Sequence, residues 1–179
     1  MKLRWVKRIL ATFMAGLGLI FVASHTAAWV FTDQDFRAFG SGTVGGTCQV
    51  GTLTPVCVSN SAGEVQLAIG GTSIGAGTYT LSLTTGPAGS AQGTAGTCFP
   101  ANSIGDTITT ANGNINFKTA GLLCEVSIPG SPYVYSGAFF LDGGTGDFAS
   151  ISGGGSLTAT FEKGFNAATS ISFHGTRHS

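Results

Sequence analysis

Charge is what this chain of 179 residues has least of: Lys, Arg, Asp and Glu make up 9% of it, against roughly 25% in an average soluble domain. Past Arg8 the only basic residues are Arg37, Lys118, Lys163 and Arg177. Four scattered cations give no basic face to displace counterions from phosphate, so nucleic acid is not expected as a partner. Helical periodicity is also missing: nothing beyond residue 28 repeats at 3.6 residues over three turns, which argues against a coiled coil or helix bundle. The four cysteines contain no Cys-x-x-Cys pair and no histidine stands near them, so they lack the ligand spacing of a zinc site. No metal or other cofactor is expected.

The few charges are unevenly placed. Lys2, Arg4, Lys7 and Arg8 are half of all basic residues, and no acid precedes Asp33. An uncharged apolar run from Ile9 to Ala23 follows, closed by Ser24-His25-Thr26-Ala27-Ala28. Cationic head, short apolar centre and small-residue exit read as a secretory leader over 1–28, cut after Ala28. The rival reading, an uncleaved anchor, has a run of 15 residues, short of the ~20 that span a bilayer. A single domain over 29–179, secreted or periplasmic, is therefore expected, with no membrane partner after cleavage. An oxidising compartment makes an even cysteine count a disulfide framework. Of three connectivities, Cys48–Cys57 and Cys98–Cys124 are favoured, because each pair brackets neighbouring strand candidates.

Glycine is abundant, at 29 residues, and it punctuates short alternating stretches. Glu64–Ile69, Thr78–Leu83, Asn114–Phe117, Ser156–Phe161 and Ser170–Phe173 each place apolar residues at every second position, the mark of half-buried strands. Ala138-Phe139-Phe140-Leu141 is a continuous apolar run and is expected to be buried on both faces. Gly70-Gly71, Asn112-Gly113, Asp142-Gly143-Gly144 and Gly153-Gly154-Gly155 supply turn signals. Eight to ten strands at this spacing predict an all-β antiparallel barrel or sandwich.

Gly143-Gly144-Thr145-Gly146-Asp147-Phe148-Ala149 and Gly153-Gly154-Gly155-Ser156-Leu157-Thr158-Ala159-Thr160-Phe161 resemble a segment of uncharacterised secreted bacterial β-barrel proteins, related in pattern to allene oxide cyclase and dirigent-like barrels. Tyr135–Phe139 and Gly105–Gly113 resemble a strand and a hairpin of the same proteins. The resemblance covers roughly residues 98 to 175 and implies a single antiparallel barrel of about eight strands, with a sandwich as the alternative. It carries no catalytic motif of those families onto this chain.

Chemistry-bearing patterns are few. Gly71-Thr72-Ser73-Ile74-Gly75 has the letters of a nucleophile elbow, with Asp106 or Asp142 and then His174 in hydrolase order, but a strand rather than a helix is expected after it. Asp142 to Asp147 is a single, imperfect calcium-type turn. His174 and His178 flank Arg177 on a strand that runs into a solvated end. Tyr79, Tyr135 and Phe117 are the candidate ligand-contacting residues, with a packed core as the rival role for the same aromatics. The expected function is non-enzymatic: a disulfide-stapled exported barrel holding a small apolar ligand. The first alternative is a cyclase or isomerase acting on a hydrophobic substrate, which a buried carboxylate from Glu64, Glu125 or Asp106 would favour. The second is a small outer-membrane barrel, against which stand the cysteines and strands that read as shorter than ~9–11 residues.

Overall fold

The structure is a computed structural model that describes residues 33–45, 58–86, 96–126, 131–162 and 167–178. The expected leader, Cys48 and Cys57 lie outside the described residues. Among the described residues eight strands are formed: β1 (Gln34–Gly45), β2 (Val58–Ile69), β3 (Thr72–Thr85), β4 (Gly96–Thr110), β5 (Gly113–Val126), β6 (Tyr133–Gly144), β7 (Ser152–Phe161) and β8 (Ala168–His178). Each pairs antiparallel with its sequence neighbour, and β8 returns to β1, so the sheet closes into a barrel. Closure removes the free edges that an open sheet would present.

The register fixes the width of the ring. A path through directly paired residues runs Thr85, Ala101, Gly121, Gly137, Leu157, Phe173, Ala38 and Leu67, and re-enters β3 at Gly75, ten residues from its start. Eight strands with a stagger of this size tilt strongly and leave an interior only wide enough for side chains or one small ligand.

Alternation sorts the residues. Phe36, Val65, Leu67, Leu81, Leu83, Ile108, Ile115, Phe139, Leu157 and Phe173 point inward and are buried. The outward positions are mostly Thr and Ser, such as Thr78, Thr80, Ser82 and Thr84 on β3, and Thr80 bonds to Thr107 on β4 across 3.1 Å. Two expectations are corrected. Phe140 is 52% exposed, because period two sends it outward between inward Phe139 and Leu141, so that run is not buried on both faces. The strands are also long, with 10 to 15 residues each; cross-strand pairing carries them through the glycines and polar residues that look like ends in the sequence.

The two barrel ends differ in their connections. At one, here the turn end, β2–β3 and β4–β5 are joined by tight turns at Gly70-Gly71 and Ala111-Asn112. Between β6 and β7 a single 3-10 turn (Gly146–Phe148) tucks Phe148 inside. This segment is held against the β4–β5 turn by Thr145 N–H to Asn114 O (2.9 Å) and Asp147 N–H to Asn112 O (3.0 Å). The opposite, loop end carries the four other connections.

Where inward positions on neighbouring strands are both glycine, as at Gly42↔Gly63, Gly121↔Gly137 and Gly155↔Gly175, the strands approach so closely that a Cβ would run into partner backbone. Such pairs let a small barrel turn its corners. Six of the 29 glycines sit in these three pairs.

Candidate functional site in the barrel interior

The interior has two levels. Toward the turn end Phe173 sits among three other phenylalanines, edge-on to each: Phe117 at 5.1 Å, Phe139 at 5.3 Å and Phe36 at 6.5 Å between centroids. Edge-to-face contacts at these distances are the favoured aromatic geometry. With Ile108, Ile115 and Leu141, they make a filled, apolar floor.

Toward the loop end, the stagger brings Gly42, Gly63, Ser61, Ser103, Thr119, Gly121, Gly137 and Ala159 to a common height, together with buried Leu81, Leu157 and Ile171. The buried hydroxyls and the buried carboxylate of the barrel gather at or beside this level.

Asp106 is the most consequential of them, with 1% of its surface exposed. Strict alternation from Ala101 and Ser103 would turn Gly105 and Thr107 inward and Asp106 out. Instead the β4–β5 register shifts between Ser103 and Asp106, and the inward set becomes Ala101, Ser103, Asp106 and Ile108. A bulge re-aims side chains in this way. The same irregularity interrupts the β3–β4 ladder between Thr80 and Thr84, and the Ser82 N–H donates instead to Asp106 Oδ1 at 2.8 Å. Oδ2 is buried with no hydrogen-bond partner among the described residues. Burial raises the Asp106 pKa above the usual carboxylate range, opposed by the hydrogen bonds from Ser103 and from the Ser82 backbone.

Hydroxyls extend the polar wall. Thr119 Oγ1 donates to Ser103 Oγ at 3.1 Å, and Ser103 in turn supports the Asp106 carboxylate. Tyr135 is fully buried, and its hydroxyl reaches over Gly121 and Gly137, 2.9 and 2.6 Å from where their Cβ atoms would stand. The two glycines are therefore also the seat of the phenol. Tyr135 Oη has no partner in hydrogen-bonding geometry. Its pKa is raised, first by burial; the neighbouring Thr119 hydroxyl opposes this and the Asp106 charge adds to it. Tyr79 is the contrast: its hydroxyl meets Ser61 Oγ at 2.9 Å, a bond that opposes the rise burial imposes on its pKa.

The sequence-derived candidates thus separate. Tyr79, Tyr135 and Phe117 all face the interior, Phe117 in the aromatic floor and the tyrosines in the upper level. Of the three carboxylates named, Asp106 enters the barrel, while Glu64 is exposed on the outer wall. Cys98 and Cys124 face each other across β4 and β5 and form a disulfide. Ser73 lies exposed on the β2–β3 hairpin, so the elbow-like letters build no elbow. Asp142 pairs with Lys118, and no group of three metal-ligating side chains occurs among the described residues. His178 Nδ1 stands 2.7 Å from Asp33 Oδ1, and His174 Nε2 lies 3.8 Å from Asp35; both pairs sit at the β1–β8 seam. The signal the sequence could not give is the bulge that turns Asp106 inward.

Comparison with protein-family models, with curated proteins and with solved structures finds no match.

Proposed function

We propose that this protein is an exported, disulfide-stapled β-barrel that holds one small apolar ligand in the loop-end half of its interior. The observation that carries this reading is the pair of buried, unpartnered polar atoms, Asp106 Oδ2 and Tyr135 Oη, at a level that glycine and small hydroxyl residues share with Leu81, Leu157 and Ile171. Nearly all buried polar atoms in folded proteins have partners, and each exception calls for an explanation. Both atoms are closed to a water-sized sphere in the structure, so a ligand reaches them only when the upper level opens, and the aromatic floor beneath then supplies apolar surface for its body. Export rests on the sequence of residues 1–28 and agrees with the Cys98–Cys124 disulfide.

A cyclase or isomerase is the second reading, favoured by one observation: the carboxyl group inside the barrel is Asp106, held by burial toward the protonated form that a general acid needs. The outer-membrane reading is disfavoured by the way the wall faces. A membrane barrel is apolar outside and polar within; here phenylalanine and leucine point inward while threonine and serine cover most of the outside.

The test is titration of the oxidised protein with a lipophilic fluorescent dye, together with native mass spectrometry of protein from an exporting host. A single saturable site, lost on filling the upper level with Ser103→Phe, supports the reading. Absence of both a co-purified small molecule and any saturable dye binding sinks it.

A further inference from the structure

We propose that the outer wall over β8, β1 and β2 binds a neutral saccharide, with Phe39 stacked on a sugar ring and Ser41, Glu64, Gln66 and Ser170 holding its hydroxyls. This site lies on the opposite face of the sheet from the interior ligand and is independent of it. The five side chains border one groove of about 440 Å³, and all of them are exposed. The register explains why they meet. Phe39 and Ser41 are successive outward positions of β1; Gln66 and Glu64 stand directly opposite them on β2, and Ser170 is opposite Ser41 on β8. Successive outward positions are about 7 Å apart and paired residues about 5 Å, so the set falls within the reach of about one or two sugar rings.

Phe39 stands apart on this wall. At 60% exposure it is the most open of the large apolar side chains among the described residues. Its direct partners are Gln66 and Ser172, and its outward neighbours along β1 are Arg37 and Ser41. Phe140, the next most exposed, is on β6, three strands away round the ring. A protein partner would be met by a contiguous apolar patch; here a single ring is set among polar groups.

The rim narrows the ligand further. An anion would face the Glu64 carboxylate, which enters none of the ion pairs among the described residues. A cation over the Phe39 ring would approach Arg37, exposed on the same face one outward position away. A wholly apolar molecule would strip water from a carboxylate and an amide and return no hydrogen bond. A pyranose ring meets each demand. Its C–H face carries the slight positive charge that suits the negative face of a phenyl ring. Its hydroxyls donate to Glu64 and accept from the Gln66 amide and the serines.

The test is ligand-observed NMR titration of the oxidised wild type, Phe39→Ala and Glu64→Gln. The probes are cellohexaose, maltohexaose, mannohexaose and xylohexaose, with tetramethylammonium as the cationic control. Expected is saturable binding of at least one saccharide, constant within about twofold between low and high salt because the ligand is neutral. That binding should weaken about tenfold or more in Phe39→Ala and about fivefold in Glu64→Gln. Both side chains face solvent, so neither change cuts the core, and Glu64→Gln gives the reading if Phe39→Ala does not fold. Saccharide binding that Phe39→Ala retains at wild-type strength overturns the site. So does failure of every saccharide to bind, and so does tighter binding of tetramethylammonium than of any saccharide, which makes the groove a cation site. Dye binding inside the barrel should be the same in Phe39→Ala as in the wild type, so the two sites stand or fall separately.

Discussion

Toward the turn end, four phenylalanine rings pack in contact and the chain folds Phe148 in beneath them. Toward the loop end, glycine, alanine, serine and threonine alternate with buried Leu81, Leu83, Leu123 and Phe161, and two polar atoms are unpaired. Period-two alternation runs through both levels, broken on β4 by the bulge between Ser103 and Asp106, so they differ in polarity and in that slip of register. The lesson is a division of labour. Floor contacts are aromatic and wholly apolar, while the upper level, equally buried, leaves hydrogen bonds unmade, a cost that proteins tend to accept at functional sites.

The largest expected effect comes from cutting the floor. Phe173→Ala removes the ring that touches three others and should lower unfolding free energy by about 3–5 kcal/mol, read from denaturant midpoints. Ser103→Ala, in the upper level, should cost about 1 kcal/mol. Equal losses at the two positions would break the contrast.

Next in size is the staple. Cys98 and Cys124 are separated by 26 residues and lie toward the loop end. Replacing both with alanine should cost roughly 2–4 kcal/mol. A change within about 0.5 kcal/mol would mean that the upper half stands without the cross-link.

The smallest effect is a pH dependence that belongs to the upper level alone. Because burial raises the Asp106 pKa, the folded state holds this proton more tightly than the unfolded chain does. Its contribution to stability is fully present below the ordinary carboxylate pKa of about 4 and is lost as pH rises through the folded value. Compared with Asp106→Asn, the wild type should therefore lose stability as pH rises from about 4. Parallel pH profiles for the two proteins would show that the carboxyl group is effectively solvated.

Most of the fold could be read in the sequence, because period-two alternation depends only on which residues are apolar. Val65, Leu67 and Ile69, or Tyr79, Leu81 and Leu83, announce their facing without any knowledge of their partners. Strand length could not be read that way: Gly121 and Gly137 resemble breaks until they are seen opposite one another, where a side chain would collide with partner backbone. The site was half legible. Tyr79, Tyr135 and Phe117 were identifiable as inward aromatics, but Asp106 had no more claim than Glu64 or Glu125. Its position depends on a one-place slip against two neighbouring strands, which is a property of pairing rather than of local composition. The difference between Tyr79, satisfied by Ser61, and Tyr135, unsatisfied, likewise arises only when distant strands meet.

A closed ring has no first strand. Gln34 and Arg177 face each other across the β1–β8 seam, joined by side-chain hydrogen bonds of 2.6 and 2.8 Å. The ends of the barrel's chain therefore lie side by side at the turn end, beside the hairpin at Gly70-Gly71. A short peptide linking 178 to 33 would let the chain be opened at that hairpin instead. The ring would keep every pairing while its strands were synthesised in a different order.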